Sequence, residues 1–132
     1  MHATIVSTDT HYLHHITASG HALSADEPER LGGRNAGPAP FDLYLASLAA
    51  CTAITLRMYA EKKGWELGEF RIDLKLRFGE DGRPQVVREL HSDQPLDDAT
   101  WQRLFEISMN TPVTKAMLGG ADIRSVRGGV AT

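Results

Sequence analysis

Apolar and charged residues alternate strictly over one stretch of the chain. Five apolar residues from Phe70 to Phe78 are separated by four charged residues. A period of two predicts a half-buried strand with one solvated face. The following Glu80-Asp81-Gly82-Arg83 is a hairpin turn signal, so the residues from Gln85 to His91 are predicted to return as a second strand.

The longest apolar segment predicts a helix from Phe41 to Lys63. Pro40 is suited to a helix start, and Gly64 to its end. Residues 43–56 are apolar or small on nearly every face, and a helix of this kind must be covered all round. A run of 14 residues is shorter than the roughly 20 needed to span a membrane. We therefore expect a core helix, with one face on the chain's own sheet and the other on a second subunit.

The remaining segments predict shorter elements. Thr4–Ser7 and Tyr12–Ala18 are typical of strands, and Asp26–Pro40 of an ordered loop. Asp97 is a helix N-cap with Leu96 and Trp101 in staple positions, and Thr111 is the N-cap of a short helix that begins at Pro112. A last strand is predicted over Ile123–Arg127. The order of elements indicates one α+β domain over residues 1–132, with helices packed on a largely antiparallel sheet.

Composition and charge narrow the functional classes. The 132 residues include 14 basic and 17 acidic side chains, for a net charge of −3. No basic stripe is present, so we expect neither a nucleic-acid partner nor a membrane surface. The single cysteine cannot form an internal disulfide, and no secretory signal is visible in the first 15 residues. These features predict a protein of the reducing cytoplasm.

The candidate chemistry of the chain centres on Cys51. It lies in the middle of the long helix, more than two turns from its start, and the local sequence supplies no base or cation. A reactive thiol needs such a group nearby, so activation would have to come from elsewhere in the fold or from a partner subunit. The alternative is an inert, buried cysteine. His11 and His15 would lie about 13 Å apart on a strand, so no metal site is expected, and no cofactor motif was found.

Two segments resemble one known family. The stretch G-P-A-P-F-D-L-Y-L-A-S-L-A-A-C-T-A-I-T-L-R-M-Y-A-E-K-K-G-W, with the loop H-A-L-S-A-D-E-P-E-R-L-G-G before it, is similar to the osmotically inducible protein C and organic hydroperoxide resistance family. The later L-F-E-I-S-M-N-T-P-V-T-K-A-M-L resembles the family's second signature. The resemblance covers about His21 to Leu118. It implies an OsmC-like fold in which antiparallel sheets wrap long central helices in an intertwined homodimer.

The resemblance also implies a reaction. Active members reduce organic or hydrogen peroxides without a metal, through a peroxidatic cysteine, a resolving cysteine and an arginine-glutamate pair. Cys51 matches the peroxidatic cysteine, but the resolving position is Thr111. The family's glutamate matches Phe41, and the nearest acid is Asp42, one position on. Arg34 and Arg30 are the candidates for the arginine.

Three functions remain open from the sequence, and in the third of them Cys51 is an inert core residue of a structural or regulatory partner protein. The first is a one-cysteine thiol peroxidase in which Cys51 becomes a sulfenic acid and an external thiol restores it. The second is a non-enzymatic dimer that binds a small apolar ligand at the subunit interface. The presence of Cys51 favours the first function, whereas the absence of a thiol at Thr111 and of the family's glutamate favours the second.

Overall fold

A computed structural model describes residues 1–129 of the chain. Three strands come first, followed by a 3-10 turn at Glu29–Leu31, a long helix, a two-stranded hairpin and two shorter helices. The elements are β1 (Ala3–Ser7), β2 (His14–Ala18), β3 (His21–Ala25), α1 (Pro40–Lys63), β4 (Phe70–Phe78), β5 (Pro84–Ser92), α2 (Asp98–Ser108) and α3 (Pro112–Gly119). The α+β class predicted from the sequence is confirmed, with the strands in two sheets, β1-β2-β3 and β4-β5.

The chain divides into two compact units. The first contains Met1–Ala49 and Asp73–Arg88, and the second contains Ala50–Ile72 and the chain from Glu89 onward. The boundaries fall inside α1 and inside both strands of the hairpin, so the units share continuous elements rather than a linker.

The first unit is built on the antiparallel sheet β1-β2-β3. Ile16 pairs with Ile5 on one side and with Leu23 on the other. The turn between β2 and β3 consists of Ser19 and Gly20, both with positive φ (47° and 86°). A two-residue turn of this kind matches the twist of the flanking strands.

A buried carboxylate organises the loop after β3. Asp26 is only 3% exposed, and its two oxygens accept the backbone N–H groups of Glu27 (2.8 Å), Arg34 (3.2 Å) and Ala36 (3.1 Å). The hydrogen bond from Ala36 does most to lower the pKa of Asp26, and it prevails over the opposing effect of burial. A side chain at Gly33 would overlap the carbonyl of Glu27, so this turn requires glycine.

Helix α1 begins one residue earlier than predicted and ends as predicted. The Asp42 carboxylate accepts the backbone N–H of Ala39 at 2.9 Å, and Gly64 (φ 72°) follows the last turn. By length and composition alone α1 could cross a membrane, but the core helix of a globular domain meets the same criterion, so this is weak evidence. Ile54 and Met58 of this helix are each more than half exposed.

The second unit contains the main apolar core. Its buried members come from the C-terminal part of α1, the following turn and α2, namely Leu56, Ala60, Leu67, Leu104 and Ile107. Asp97 caps α2 by accepting the N–H of Thr100 at 2.7 Å, which confirms the predicted cap. Leu96 and Trp101 both pack against this core, as the staple pattern predicts.

The prediction of a last strand over Ile123–Arg127 is wrong. Residues 120–129 form neither helix nor strand, and Ile123 and Val126 are 88% and 76% exposed. A strand exists only where its backbone groups are paired with a neighbouring strand. Within residues 1–129 neither sheet includes this segment, so its backbone groups pair with no neighbouring strand despite the alternating sequence.

Candidate active site

Cys51 contacts a second helix that the local sequence does not reveal. Its side chain is half-buried on α1, and its Sγ accepts the backbone N–H of Val113 at 3.5 Å. Both residues belong to the second unit. The sulfur therefore lies at the first turn of α3, 62 positions further along the chain.

The start of α3 explains why this N–H is available. Thr111 occupies the N-cap, and Pro112, the first helical residue, has no N–H, so Val113 carries the first N–H of the helix. A cap side chain ordinarily accepts from the second or third helical residue. The structure confirms Thr111 at the cap position. The prediction that its side-chain oxygen accepts a capping hydrogen bond is wrong, because no such bond forms among the described residues. The Cys51 sulfur takes the acceptor role instead.

The Thr111 hydroxyl joins a buried chain of hydroxyl groups. Its Oγ1 lies 2.7 Å from that of Thr114, and the Thr114 hydroxyl donates to the carbonyl of Ser108 at 3.1 Å. Thr111 is fully buried, and Thr114 and Ser108 are nearly so. These polar groups satisfy one another inside the second unit, next to the turn that holds the thiol.

The turn that the Cys51 sulfur contacts is the N-terminus of helix α3. The N-terminus of a helix carries a partial positive charge, and its free N–H groups bind anions. The local sequence around Cys51 supplies no activating group. The Thr111-Pro112-Val113 start of α3 was visible as a helix start, but its contact with Cys51 is a tertiary one.

The other candidate site residues lie in the first unit, in and after the loop of Asp26. The side chains of Arg30 and Arg34 are exposed, and the backbone N–H of Arg34 donates to Asp26. Arg30 and Asp42 line one cavity of about 450 Å³ together with Phe41. Asp42 also has a structural role, because its carboxylate holds the first turn of α1 through the N–H of Ala39.

A second cavity in the first unit has a volume of about 620 Å³. It is lined by Tyr12, His14, Asp26, Leu31 and other residues of the sheet and loop. The His14 ring nitrogen Nδ1 lies 2.9 Å from the carbonyl of Tyr12.

Fold and site together define a class of protein. The structure is an α+β chain in which the sulfur of a cysteine on a long helix contacts the N-terminus of a shorter helix. The family model described as OsmC-like protein matches residues 32–125, and the chain belongs to that family. The resemblance found in the sequence is thereby confirmed.

Solved structures show the same fold. A candidate osmotic stress induced and detoxification response protein from Psychrobacter arcticus 273-4 is 19% identical with a TM-score of 0.76, over 86% of this chain and 85% of that one. An organic hydroperoxide resistance protein OsmC from Legionella pneumophila is 21% identical with a TM-score of 0.68, over 89% and 88%. The organic hydroperoxide resistance protein from Elizabethkingia anophelis is 25% identical with a TM-score of 0.64, over 89% and 86%. A search of curated proteins finds no match.

Proposed function

We propose that this protein is a one-cysteine, thiol-dependent hydroperoxide reductase that acts in defence against peroxides. Cys51 is the peroxidatic residue, and an external thiol is the reductant. The observation that carries the proposal is the hydrogen bond from the Val113 N–H to the Cys51 sulfur, at the positive end of α3. The organic hydroperoxide resistance protein from Elizabethkingia anophelis, at 25% identity, supports the substrate class.

The first half-reaction oxidises the cysteine by two electrons. The Cys51 thiolate attacks the outer oxygen of the hydroperoxide, an S–O bond forms and the O–O bond breaks. The alkoxide leaves and takes a proton from water, which gives an alcohol and a cysteine sulfenic acid. The N–H of Val113 donates to the Cys51 sulfur and holds it in position for the attack.

The second half-reaction needs an external thiol, because the chain has one cysteine and threonine occupies position 111. A first thiol attacks the sulfenic sulfur and releases water, which leaves a mixed disulfide on Cys51. A second thiol attacks that disulfide, so that the Cys51 thiol is restored and the two external thiols leave as a disulfide. Low-molecular-weight thiols of the cytoplasm, our proposed compartment, are suitable reductants.

Arg30 and Arg34 are the proposed activating cations, and the protein is proposed to act as a homodimer. The Asp42 carboxylate already accepts a hydrogen bond from the Ala39 N–H. We therefore assign Asp42 a structural role at the start of α1 in preference to a role as the partner of an activating arginine. Replacement of Arg30 and Arg34 by glutamine, singly, identifies the activator as the variant with the slower oxidation of Cys51.

The test is turnover of cumene hydroperoxide with dithiothreitol as reductant. The expected result is peroxide consumption by the wild type that Cys51→Ser abolishes. Leu118→Ala, at an exposed position of α3, is the matched control and should retain turnover. If wild type and Cys51→Ser consume peroxide at equal rates, the enzyme proposal is wrong. The alternative, a dimer that binds a small apolar ligand, then becomes the better hypothesis.

A further inference from the structure

The hydroxyl chain behind α3 has a fixed direction. A threonine hydroxyl has one hydrogen, and that of Thr114 is given to the carbonyl of Ser108. The hydrogen between Thr114 and Thr111 must therefore come from Thr111. The single hydrogen of the Thr111 hydroxyl is thus used in the bond to Thr114, so the Thr111 oxygen can only accept hydrogen bonds from other groups.

Two complementary groups thus begin helix α3. Val113 presents a donor, its N–H, which the Cys51 sulfur already accepts. Thr111, two residues earlier in the cap of the same turn, presents acceptor lone pairs that no other residue among 1–129 uses. Thr111 is fully buried within the protomer, so bulk water does not compensate for these lone pairs.

A sulfenic acid has the matching pair of groups, and a more oxidised sulfur does not. The S–OH group offers one proton and accepts at its oxygen and sulfur. A sulfinate carries two anionic oxygens and no proton, so it would meet the lone pairs of Thr111 with repulsion. A buried polar atom that faces no compatible partner is costly.

We infer that Thr111 is a positioning residue that holds the sulfenic acid of Cys51 through a hydrogen bond and disfavours its oxidation to the sulfinic acid. The inference rests on the proposed function, because hydroperoxide must first convert Cys51 to S–OH. In a chain without a resolving cysteine, the sulfenic acid has to survive until an external thiol arrives. Thr111 prolongs the lifetime of the sulfenic acid. It occupies the position from which a second thiol would otherwise react with the sulfenic acid.

The test compares Thr111→Val, which keeps the shape and removes the hydroxyl, with Thr111→Ser, which keeps the hydroxyl. Each protein is treated with one equivalent of cumene hydroperoxide, trapped with dimedone at intervals, and then exposed to excess peroxide. The tryptic peptide Asn35–Arg57 contains Cys51 and no methionine, so its mass reports the sulfenic and sulfinic forms separately from methionine oxidation elsewhere in the chain. Loss of one hydrogen bond should shorten the lifetime of the sulfenic acid in Thr111→Val about fivefold and raise the sulfinic fraction. Thr111→Ser should behave as the wild type.

Thr55→Val is the matched control, since it removes a threonine hydroxyl one turn away from Cys51 on α1. Its sulfenic lifetime should equal that of the wild type, and melting curves establish that each variant is folded. Equal lifetimes in wild type and Thr111→Val would overturn the inference while leaving the proposed function intact. If dimedone traps nothing in the wild type, the proposed function itself fails, and the inference fails with it.

Discussion

The Cys51 side chain shows how one residue acquires its surroundings from a distant segment. Its own helix places it in mid-segment, where the macrodipole of α1 has little effect. The first N–H of α3 then reaches the sulfur because Pro112 supplies no donor and the hydroxyl of Thr111 bonds to Thr114 instead. The identities of two residues, Thr111 and Pro112, thus determine which hydrogen bond the thiol accepts.

Thr111→Cys should restore an internal disulfide. The family resemblance places the second thiol at this position, and the structure places Cys51 against the helix that Thr111 caps. The variant loses the Thr111–Thr114 hydrogen bond, but a bridge that closes a loop of about 60 residues would add roughly 4 kcal/mol against unfolding, less any strain. Non-reducing mass analysis after diamide treatment should show an intramolecular bridge. A variant that stays reduced, or that cross-links only between chains, would remove Thr111 as the resolving position.

Asp26 should make the stability of the protein depend on pH in acid. Its pKa is lowered in the fold, chiefly by the Ala36 N–H, so its stabilising effect is complete above the ordinary value of 3.8 and is lost as the pH falls through the lowered pKa. Asp26→Asn cannot supply two anionic acceptors. Its Tm should lie below that of the wild type at pH 6, and the difference should shrink as the pH is lowered from 4 to 2. A difference in Tm that stays constant over this range would contradict the assignment.

Helix starts are the elements on which local sequence and structure agree best. At α2, the Asp97 carboxylate accepts the Thr100 N–H, and Thr100 is also the main cause of the lowered pKa of Asp97. At α3, the cap position is as predicted but its acceptor comes from α1. The difference arises because Asp97 accepts from a residue three positions along the chain. At α3 the acceptor is the Cys51 sulfur of α1, which only tertiary packing places beside the helix start.

Asp97→Ala should lower the Tm by about 4 °C through loss of the cap, with no effect on hydroperoxide turnover. Asp98→Ala is the matched control, because Asp98 is an exposed acid in the same first turn that makes no capping bond. Differential scanning calorimetry checks the stability and the dithiothreitol-coupled assay the turnover. A Tm unchanged by Asp97→Ala, or a large loss of turnover, would show that the start of α2 has a different role.

The single chain leaves much of its apolar surface uncovered. Seven apolar residues are buried among the described residues, whereas Phe41, Ile54, Met58 and Val87 are all more than half exposed. Three of these lie on α1, the helix whose all-round apolar pattern predicts a second covering surface. Burial of such surface in an oligomer is the expected outcome.

The protein should therefore be a stable homodimer in which more than about 2,000 Å² of surface is buried in total. Sedimentation equilibrium at micromolar concentration should give twice the chain mass of 14.5 kDa. Met58→Glu, at an exposed position of α1, should weaken association, whereas Glu61→Gln at the hydrophilic end of the same helix should not. A 14.5 kDa species at this concentration would contradict the expectation.

The sequence by itself determined the elements whose signals are local. The alternation from Phe70 to Phe78, the caps at Asp97 and Thr111 and the glycine after α1 each act within a few residues, so β4, α2, α3 and the end of α1 could be predicted. The motif around Cys51 likewise identified the family. Only the tertiary structure decided that the Cys51 sulfur meets the Val113 N–H and that Ile123–Arg127 joins no sheet, because both outcomes depend on which distant backbone groups come within hydrogen-bond range.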